Sequence, residues 1–280
     1  MMKEQTLKSW EEFEDELIRI NKETKSLQEK KQGHISYPLF RGVDNSEYHL
    51  ESTLDRIQKG MSLSDYYRIM NIVHMQIASC TGKKWDMEKE LPMLCDFRVK
   101  ACEFMVYLRH NGFPSPLLDW SRSPYIAAYF SFRDLSLRGK LRKHVSIFMY
   151  REFMGVGKST FPAKPHIISV GPSIITDPKH YLQQSEYTLC LRNMSVIKAV
   201  GDVEKECIFA DYGDVTPFLT NDGDGPVWEC QDVVVKYNIP ISEQQKVLRK
   251  LDSMNITAYS LFNSEPSLME TLALRELFLT

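Results

Sequence analysis

The chain has 280 residues, of which 43% are hydrophobic and 26% are charged, and its formal net charge is −2. This composition is typical of a folded globular protein and argues against a disordered chain, while the balanced charge gives no global basic surface for nucleic acid. No stretch approaches the roughly 18 apolar residues that a membrane span needs, and the charged N-terminal residues lack a signal-peptide core, so we expect a cytoplasmic protein without a membrane partner.

The first half of the chain has mainly helical periodicity. Ser9 stands where it would cap an amphipathic helix, and residues 34–43 (HISYPLFRGV) are predicted to form a strand that ends near Arg41. Apolar residues recur at helical spacing over 64–80 and over 91–110, which predicts two further helices. We therefore expect this half to be mainly α-helical.

The stretch over 109–132 (RHNGFPSPLLDWSRSPYIAAYFSF) is the part around which we expect the other elements to be arranged. Its Asn-Gly pair and two prolines cannot continue a helix, so the chain turns before a brief extended segment over 117–120. Ser123 and Pro124 have the form of an N-cap and a first helical residue, and the helix that follows is apolar on nearly every side. Asp119 therefore places a charge between two apolar segments, where a carboxylate requires partners.

After residue 140 the pattern changes to short strand-like runs that are separated by Gly, Pro, Asn and Asp. Residues 241–255, with Ser242 as N-cap, and residues 266–278 are predicted to be helices. The predicted strands are 144–150, 166–170, 186–191, 206–210, 233–239 and 256–262. Together these elements predict a single α+β domain with a mixed or antiparallel sheet, a helical N-terminal portion and flanking helices.

Several residues are candidates for a functional site, and each also has a structural interpretation. Asp119 is either a catalytic acid or base, or an anchor that accepts hydrogen bonds from backbone amides or an arginine. Arg41 either binds an anionic ligand group or lies on the surface at a strand end, and the two residues also suit each other as an ion pair. Glu265 is either an acid or a carboxylate that a helix dipole stabilises. Gln183 and Gln184, before a strand, either contact a ligand or form an ordinary turn.

Several common mechanisms have no signature in this chain. Metalloprotease, nucleophile-elbow, Walker-type and dinucleotide-binding glycine motifs are missing, and no acidic cluster suits two metal ions. The six cysteines are scattered without a C-x-x-C pair, so we expect mostly reduced core residues and no metal. A nuclease is accordingly the weakest of the function classes considered.

Four segments resemble, in the right order, the FRG domain, a family named for its Phe-Arg-Gly signature. They are LFRG at 39–42, HNGFPSPLLDWSRSPYIAAYF at 110–130, QQSEYT at 183–188 and YNIPISEQQKVLRKLDSMNITAYSLF at 237–262. The family usually has Thr-Arg before Leu-Leu-Asp-Trp, where this chain has Ser-Pro. It commonly ends its last strand with Leu-Phe-Pro-Asp, where this chain has Leu-Phe-Asn-Ser-Glu. The resemblance implies an N-terminal helix and connector over 1–33 and an FRG-type α+β domain over 34–280.

The order of these segments is similar to the layout of ADP-ribosyltransferases, which implies an NAD-dependent transferase that acts as a toxin or phage-defence effector. Such an enzyme would take NAD as its nucleotide and modify a protein or nucleic-acid acceptor without a metal. The resemblance implies catalytic roles for Glu265 and Asp119, and it places Arg41 on the NAD phosphates. The other residues expected at the cofactor are Gly42, Ser121, Tyr129 and Gln184.

The alternative function is a non-catalytic module that senses a ligand or binds a protein partner. In that case Arg41 and Asp119 form a structural ion pair. Removing both partners of a buried pair costs far less stability than the sum of the two single changes, so a double-mutant comparison separates the alternatives.

Overall fold

The structure is a computed structural model that describes residues 2–30, 35–90, 99–135, 142–152, 165–171, 174, 178–197, 203–215, 218–221, 226–229 and 232–280. Within these residues the chain forms a mixed β-sheet with α-helices packed against it. The predicted α+β class, with a single main sheet and flanking helices, is therefore confirmed.

Ten strands lie in the described residues. They are β1 (Lys3–Thr6), β2 (Leu39–Val43), β3 (Leu118–Ser121), β4 (His144–Arg151), β5 (His166–Ser169), β6 (Ser185–Ile197), β7 (Val203–Phe209), β8 (Phe218–Asn221), β9 (Pro226–Glu229) and β10 (Val233–Pro240). Eight of them form one sheet in the order β1-β10-β4-β2-β3-β6-β5, with β7 also paired to β6, while β8 and β9 form a separate hairpin. β1 runs parallel to β10 and the other neighbours are antiparallel, so the sheet is mixed.

Eight α-helices lie in the same residues. They are α1 (Trp10–Lys30), α2 (Leu63–Thr81), α3 (Cys102–His110), α4 (Pro124–Phe132), α5 (Lys179–Leu182), α6 (Gln244–Ser253), α7 (Ala258–Phe262) and α8 (Glu265–Ala273). The predicted start of α4 is confirmed: the Ser123 side chain caps the helix and Pro124 is its first residue. None of the helices in the described residues combines the length and apolar character that crossing a membrane requires.

The prediction of a last strand over 256–262 is wrong, because this segment contains helix α7 in the structure. Thr257 and Ser260 make a reciprocal capping box at its start, and Ala258 and Leu261 are buried one helical turn apart. The β-branched and aromatic residues of this segment indicate a strand by composition, but the cap and the helical spacing of its buried residues decide its structure.

Two other elements are shorter than predicted. The helix expected over 91–110 begins at Cys102, because Ala101 has a left-handed φ of 55°, and residues 91–98 lie outside the described part of the chain. The strand expected over 34–43 is limited to β2, which starts directly after a proline.

Three clusters of buried side chains surround the sheet. The first involves α1, α4 and α6 and includes Phe40 of β2, and the second involves α2 and α3 and includes Tyr187 of β6. The third lies on the opposite face and includes Leu118 and Trp120 of β3. β3 is thus located where the first two clusters meet on one face, and this position determines the surroundings of Asp119.

The N-terminal segment contributes to the main sheet and to its core. β1 pairs with β10 from Lys3 to Thr6, and α1 places Trp10 and Phe13 in the first cluster. The domain boundary predicted after residue 33 stays a prediction.

Four of the six cysteines lie within the described residues. Cys102 and Cys190 are buried, as predicted, whereas Cys207 is half-buried and Cys80 is exposed.

Candidate functional site

Asp119 lies on β3, a short strand that is otherwise buried. Leu118 and Trp120 contact the third cluster, so strand alternation places Asp119 on the other face. There its cross-strand neighbour on β6 is Tyr187. Behind it, the Trp120 indole N–H donates to Thr188 Oγ1 at 2.8 Å and fixes β3 against β6. The carboxylate of Asp119 therefore projects from the face where the first two core clusters meet.

Arg41 of β2 contacts both the backbone and the side chain of Asp119. Its Nη1 donates to the Asp119 carbonyl oxygen at 2.7 Å and lies 3.1 Å from Asp119 Oδ2. In the sheet, Phe40 of β2 pairs with Ser121 of β3. The Arg41 side chain extends beyond this pair to Asp119, two residues before Ser121. The predicted ion pair between Arg41 and Asp119 is confirmed.

Arg109, which the sequence reasoning did not select, completes the group. It lies in the last turn of α3, and its Nε donates to Asp119 Oδ1 at 2.5 Å. The Asn-Gly and proline turn that follows α3 brings β3 back beside this helix end, and that turn is the signal that could have identified Arg109. We call Arg41, Asp119 and Arg109 the arginine–aspartate triad.

The triad keeps Asp119 ionised. Desolvation alone would raise the pKa of the Asp119 carboxyl, but the charges and hydrogen bonds of Arg41 and Arg109 outweigh this and hold the pKa well below its usual range. The side chains of Arg41 and Arg109 are 13% and 18% exposed, whereas that of Asp119 is 41% exposed. Asp119 is therefore a fixed anion at neutral pH, on which two arginines converge at a partly open surface.

A second polar group lies beside the triad on the same face. The Tyr187 hydroxyl is 2.7 Å from His110 Nε2 and 3.2 Å from His180 Nδ1, and the ring of His180 stacks on that of Tyr187. Tyr187 is buried, His180 is half-buried and His110 is exposed. We call these three residues the histidine–tyrosine cluster.

Glu186, the next residue along β6, lies opposite Trp120 and pairs with Arg122. Arg122 Nε donates to Glu186 Oε1 at 2.8 Å, and Nη2 contacts the same oxygen. The Glu186 side chain is only 6% exposed, while that of Arg122 is 54% exposed. Desolvation raises the pKa of Glu186, although Arg122 opposes this, and Oε2 has no hydrogen-bond partner among the described residues.

Each residue of Phe-Arg-Gly has a distinct physical task in this fold. Phe40 packs in the first core cluster and Arg41 belongs to the triad. Gly42 lies against α4, where an added Cβ would clash with the Ala127 carbonyl oxygen and the Ser131 hydroxyl. Gly42 is therefore needed for the close packing of α4 on β2, and its expected role at a cofactor stays a prediction.

The glutamine turn before β6 is attached to the end of β3. Ser121 Oγ donates to the Gln183 carbonyl oxygen at 2.8 Å and accepts from the Ser123 N–H at 3.1 Å. Gln184 has a φ of 49°, and its carbonyl oxygen accepts from the Arg122 N–H. These contacts form an ordered turn beside the triad, and cofactor binding by Ser121 and Gln184 stays a prediction.

Tyr129 and Glu265, the remaining predicted site residues, belong to the α4 and α8 region. Tyr129 is buried and its hydroxyl donates to Glu270 Oε1 at 2.9 Å. Glu265 is the first residue of α8, directly after the N-cap Ser264, where the helix dipole favours a carboxylate. Both residues therefore have a structural role in the described contacts: Tyr129 bonds α4 to α8, and Glu265 begins α8. Their roles at NAD stay predictions.

A surface cavity of about 480 Å³ lies along α1, away from the triad. Its lining residues are Asn21, Thr24, Lys25, Gln28, Glu29 and Tyr37. None of the predicted site residues lines it, and we do not assign it to the site. In the part of the chain that the structure describes, no group of three His, Cys, Asp or Glu side chains is placed to hold a metal ion.

The family model of the FRG domain matches residues 36–138. This match covers less than half of the chain, and over these residues the chain is similar to the FRG domain. The matched range contains Arg41, Arg109 and Asp119, so the whole triad lies within the matched residues. The resembling segments at 183–188 and 237–262 lie outside this match and stay predictions. Comparison of the chain with curated proteins and with solved structures finds no match.

Proposed function

We propose that the arginine–aspartate triad binds the anionic part of a nucleotide. The observation that carries this proposal is the excess of positive charge: two guanidinium groups converge on one ionised carboxylate. Arg41 uses only Nη1 for Asp119, and Arg109 uses only Nε. Among the described residues, the other guanidinium nitrogens of both side chains have no partner, so they are available to a ligand.

Phosphate is the chemical group that this arrangement suits best. A guanidinium presents its N–H donors as a planar fork that matches the oxygens of a phosphate, and it stays charged at any physiological pH. Asp119 restrains both arginines in position before a ligand arrives, which lowers the entropic cost of binding. Since the triad has a net charge of +1, it attracts a phosphate while Asp119 prevents the two arginines from repelling each other.

NAD is the nucleotide we propose, and ADP-ribosyl transfer is the proposed reaction. In this reaction the bond between ribose C1′ and the nicotinamide nitrogen breaks and its electrons leave with nicotinamide. C1′ then bonds to a nucleophile of a protein or nucleic-acid acceptor, which loses a proton. Positioning and charge stabilisation carry much of such a reaction. In this proposal Arg41 and Arg109 hold the pyrophosphate, and Glu265 orients the ribose or the acceptor.

Isothermal titration with NAD, ADP-ribose and nicotinamide tests this proposal. We expect NAD and ADP-ribose to bind, nicotinamide to bind far more weakly, and Arg41→Ala to weaken NAD binding at least about tenfold without unfolding the protein. Release of nicotinamide from NAD, lost in Glu265→Gln while NAD still binds, would support the transferase reaction. Unchanged NAD affinity in folded Arg41→Ala would contradict the binding proposal.

The second candidate is a non-catalytic module in which the triad is only structural. It is favoured by the direct contacts of Arg41 with both the carbonyl oxygen and the carboxylate of Asp119, which tie β2 to β3. A purely structural role predicts strong coupling in the double-mutant cycle of Arg41→Ala and Asp119→Ala, measured by urea unfolding, together with no binding of NAD or ADP-ribose.

A further inference from the structure

The proposed site lacks an obvious group that exchanges protons near neutral pH. Asp119 is held as an anion by two arginines, and Glu265 lies at the start of α8. A ligand with a phosphate, or an acceptor that loses a proton, would nevertheless benefit from such a group near the triad. The histidine–tyrosine cluster is adjacent, because Tyr187 is the cross-strand neighbour of Asp119.

The hydroxyl of Tyr187 is the centre of this cluster. It has one proton and lies within hydrogen-bond distance of two imidazole nitrogens, His110 Nε2 and His180 Nδ1. Since one hydroxyl proton serves only one of these nitrogens, the other nitrogen must itself carry a proton and donate to the oxygen. Two arrangements satisfy this rule, and they differ only in the direction of the two hydrogen bonds.

We propose that His110, Tyr187 and His180 form a proton relay that acts as the acid–base group of the site at Arg41 and Arg109. A proton that enters at exposed His110 displaces the Nε2 proton to the Tyr187 oxygen, and the hydroxyl proton moves to His180 Nδ1. One proton is transferred, and Tyr187 is neutral before and after the transfer. This inference rests on the proposed function, because it assigns the relay to the same ligand.

Burial supports the intermediate position of Tyr187. Desolvation, with a smaller contribution from Asp119, raises the pKa of its hydroxyl, so Tyr187 keeps its proton at neutral pH. Desolvation also lowers the pKa of His180, and the charges of His110 and Arg122 act in the same direction. His180 is therefore neutral at pH 7 and able to take up a proton when an anion binds nearby.

The relay holds one extra proton more easily than two. One extra proton can bind to the cluster while both hydrogen bonds of Tyr187 persist. A second extra proton would have to bind to the imidazole nitrogen that accepts the Tyr187 hydroxyl proton, and it would break that hydrogen bond. The two histidines should therefore titrate as a coupled pair. The charged side chains that also influence the protons of the cluster are Asp119, Arg109 and Glu186, which act on Tyr187, and Arg122, which acts on His180.

Binding of an anion has a defined linkage to this pair. A bound phosphate favours the protonated imidazole, so the pKa of His180 rises in the complex. The gain in anion affinity is then complete below the pKa that His180 has in the free protein. It is lost as the pH rises through the pKa that His180 has in the complex. The limit for uptake of one proton is about a tenfold change in affinity per pH unit.

The first experiment needs no ligand. Imidazole NMR signals of His110 and His180 are followed from about pH 5 to about pH 8 in the wild type, Tyr187→Phe and Tyr66→Phe. Tyr66→Phe is the matched control, because Tyr66 is also buried and its hydroxyl donates to the Pro114 carbonyl oxygen instead. We expect two separated titration steps in the wild type and the control, and a smaller separation in Tyr187→Phe. Identical titrations in all three proteins would overturn the relay.

The second experiment measures protons taken up with NAD, by titration calorimetry in buffers of different ionisation enthalpy. Near pH 6.5 we expect net proton uptake with NAD in the wild type and clearly less in His180→Gln or Tyr187→Phe. NAD binding without any proton uptake would overturn the acid–base role. If NAD does not bind at any pH, the proposed function fails and this role fails with it, while coupled titration in the first experiment would still show that the three residues share a proton.

Discussion

Asp119 and Glu186 are carboxylates on neighbouring strands, and their environments move their pKa values in opposite directions. Asp119 is 41% exposed and receives two arginines, and its pKa is lowered. Glu186 is 6% exposed, its ion-pair partner among the described residues is Arg122, and its pKa is raised. The comparison indicates that one partly solvated arginine does not offset the desolvation of Glu186, whereas two arginines outweigh the desolvation of Asp119.

The difference also separates two uses of charge in one sheet. At Asp119 the positive charge exceeds the negative, and among the described residues only Nη1 of Arg41 and Nε of Arg109 form hydrogen bonds with Asp119. At Glu186 one carboxylate meets one arginine. Its Oε2 has no hydrogen-bond partner among the described residues, so we expect burial of this carboxylate to lower the stability of the fold. This contrast supports the proposal that the triad binds an anion, and the pair of Glu186 and Arg122 serves as the comparison for it.

The largest expected effect follows from Asp119→Asn. This change leaves two arginines without their anion, and breaking such a pair in a buried site costs about 3–5 kcal/mol. Because the Asp119 side chain is 41% exposed, solvent screening reduces the loss, and we expect about 2 kcal/mol in the free energy of unfolding. Urea unfolding measures it. If Asp119→Asn lowered the free energy of unfolding less than Arg122→Gln does, the triad would stabilise the fold less than the Glu186–Arg122 pair, contrary to this account.

Arg122→Gln should have a smaller effect, about 1 kcal/mol. The substitution removes the partner of a buried carboxylate, but Glu186 can respond by binding a proton, which limits the cost. The change is best measured by urea unfolding at pH 7 and again near pH 5, where the loss should shrink. A loss that grows as the pH falls would show that Glu186 is not the group affected.

Glu186→Gln should be nearly neutral, within about 0.5 kcal/mol at pH 7. The amide keeps an oxygen that accepts from Arg122, and Arg122 itself remains hydrated since its side chain is 54% exposed. Thermal and urea unfolding of this variant are the measurements. A loss as large as that of Asp119→Asn would mean that the Glu186 charge stabilises the fold.

The pH dependence of stability sharpens the contrast further. The lowered pKa of Asp119 gives stability that is present above the unfolded value of about 3.9 and is lost as the pH falls through the folded pKa. The raised pKa of Glu186 acts in the opposite sense: its cost is fully present above the folded pKa, falls as the pH drops through that pKa, and is gone below the unfolded value of about 4.3. Subtracting the urea-unfolding profiles of Asp119→Asn and Glu186→Gln from the wild type isolates the two contributions. Contributions of the same sign would contradict the comparison.

Much of the region around the triad is predictable from local sequence. Asn-Gly and proline breakers fix the turn after α3, and Ser123 with Pro124 fixes the start of α4. A charged Asp119 between apolar segments requires partners, and its pairing with Arg41 follows from the chemistry of the two side chains. Local patterns therefore locate the segment that resembles the FRG domain and one of the two ion pairs of Asp119, the one with Arg41.

The rest depends on contacts that are distant in sequence or on ambiguous local signals. Arg109 contacts Asp119 only because α3 ends beside β3, and helical periodicity does not indicate which neighbour a helix end meets. The clash that makes Gly42 necessary arises from α4, more than 80 residues later in the chain. Thr257 caps α7 in a segment whose composition favours a strand, so the pattern of residues alone assigned the wrong element.

The most direct test of the triad as an anion site is titration with NAD of three proteins: the wild type, Arg109→Gln and Arg122→Gln. Both substitutions remove one arginine from one carboxylate, but only Arg109 belongs to the triad. Circular dichroism and urea unfolding would establish that all three are folded. We predict that Arg109→Gln weakens binding at least about tenfold and that Arg122→Gln changes it less than about threefold. Equal affinities of the wild type and folded Arg109→Gln, or no binding by the wild type, would contradict the anion site.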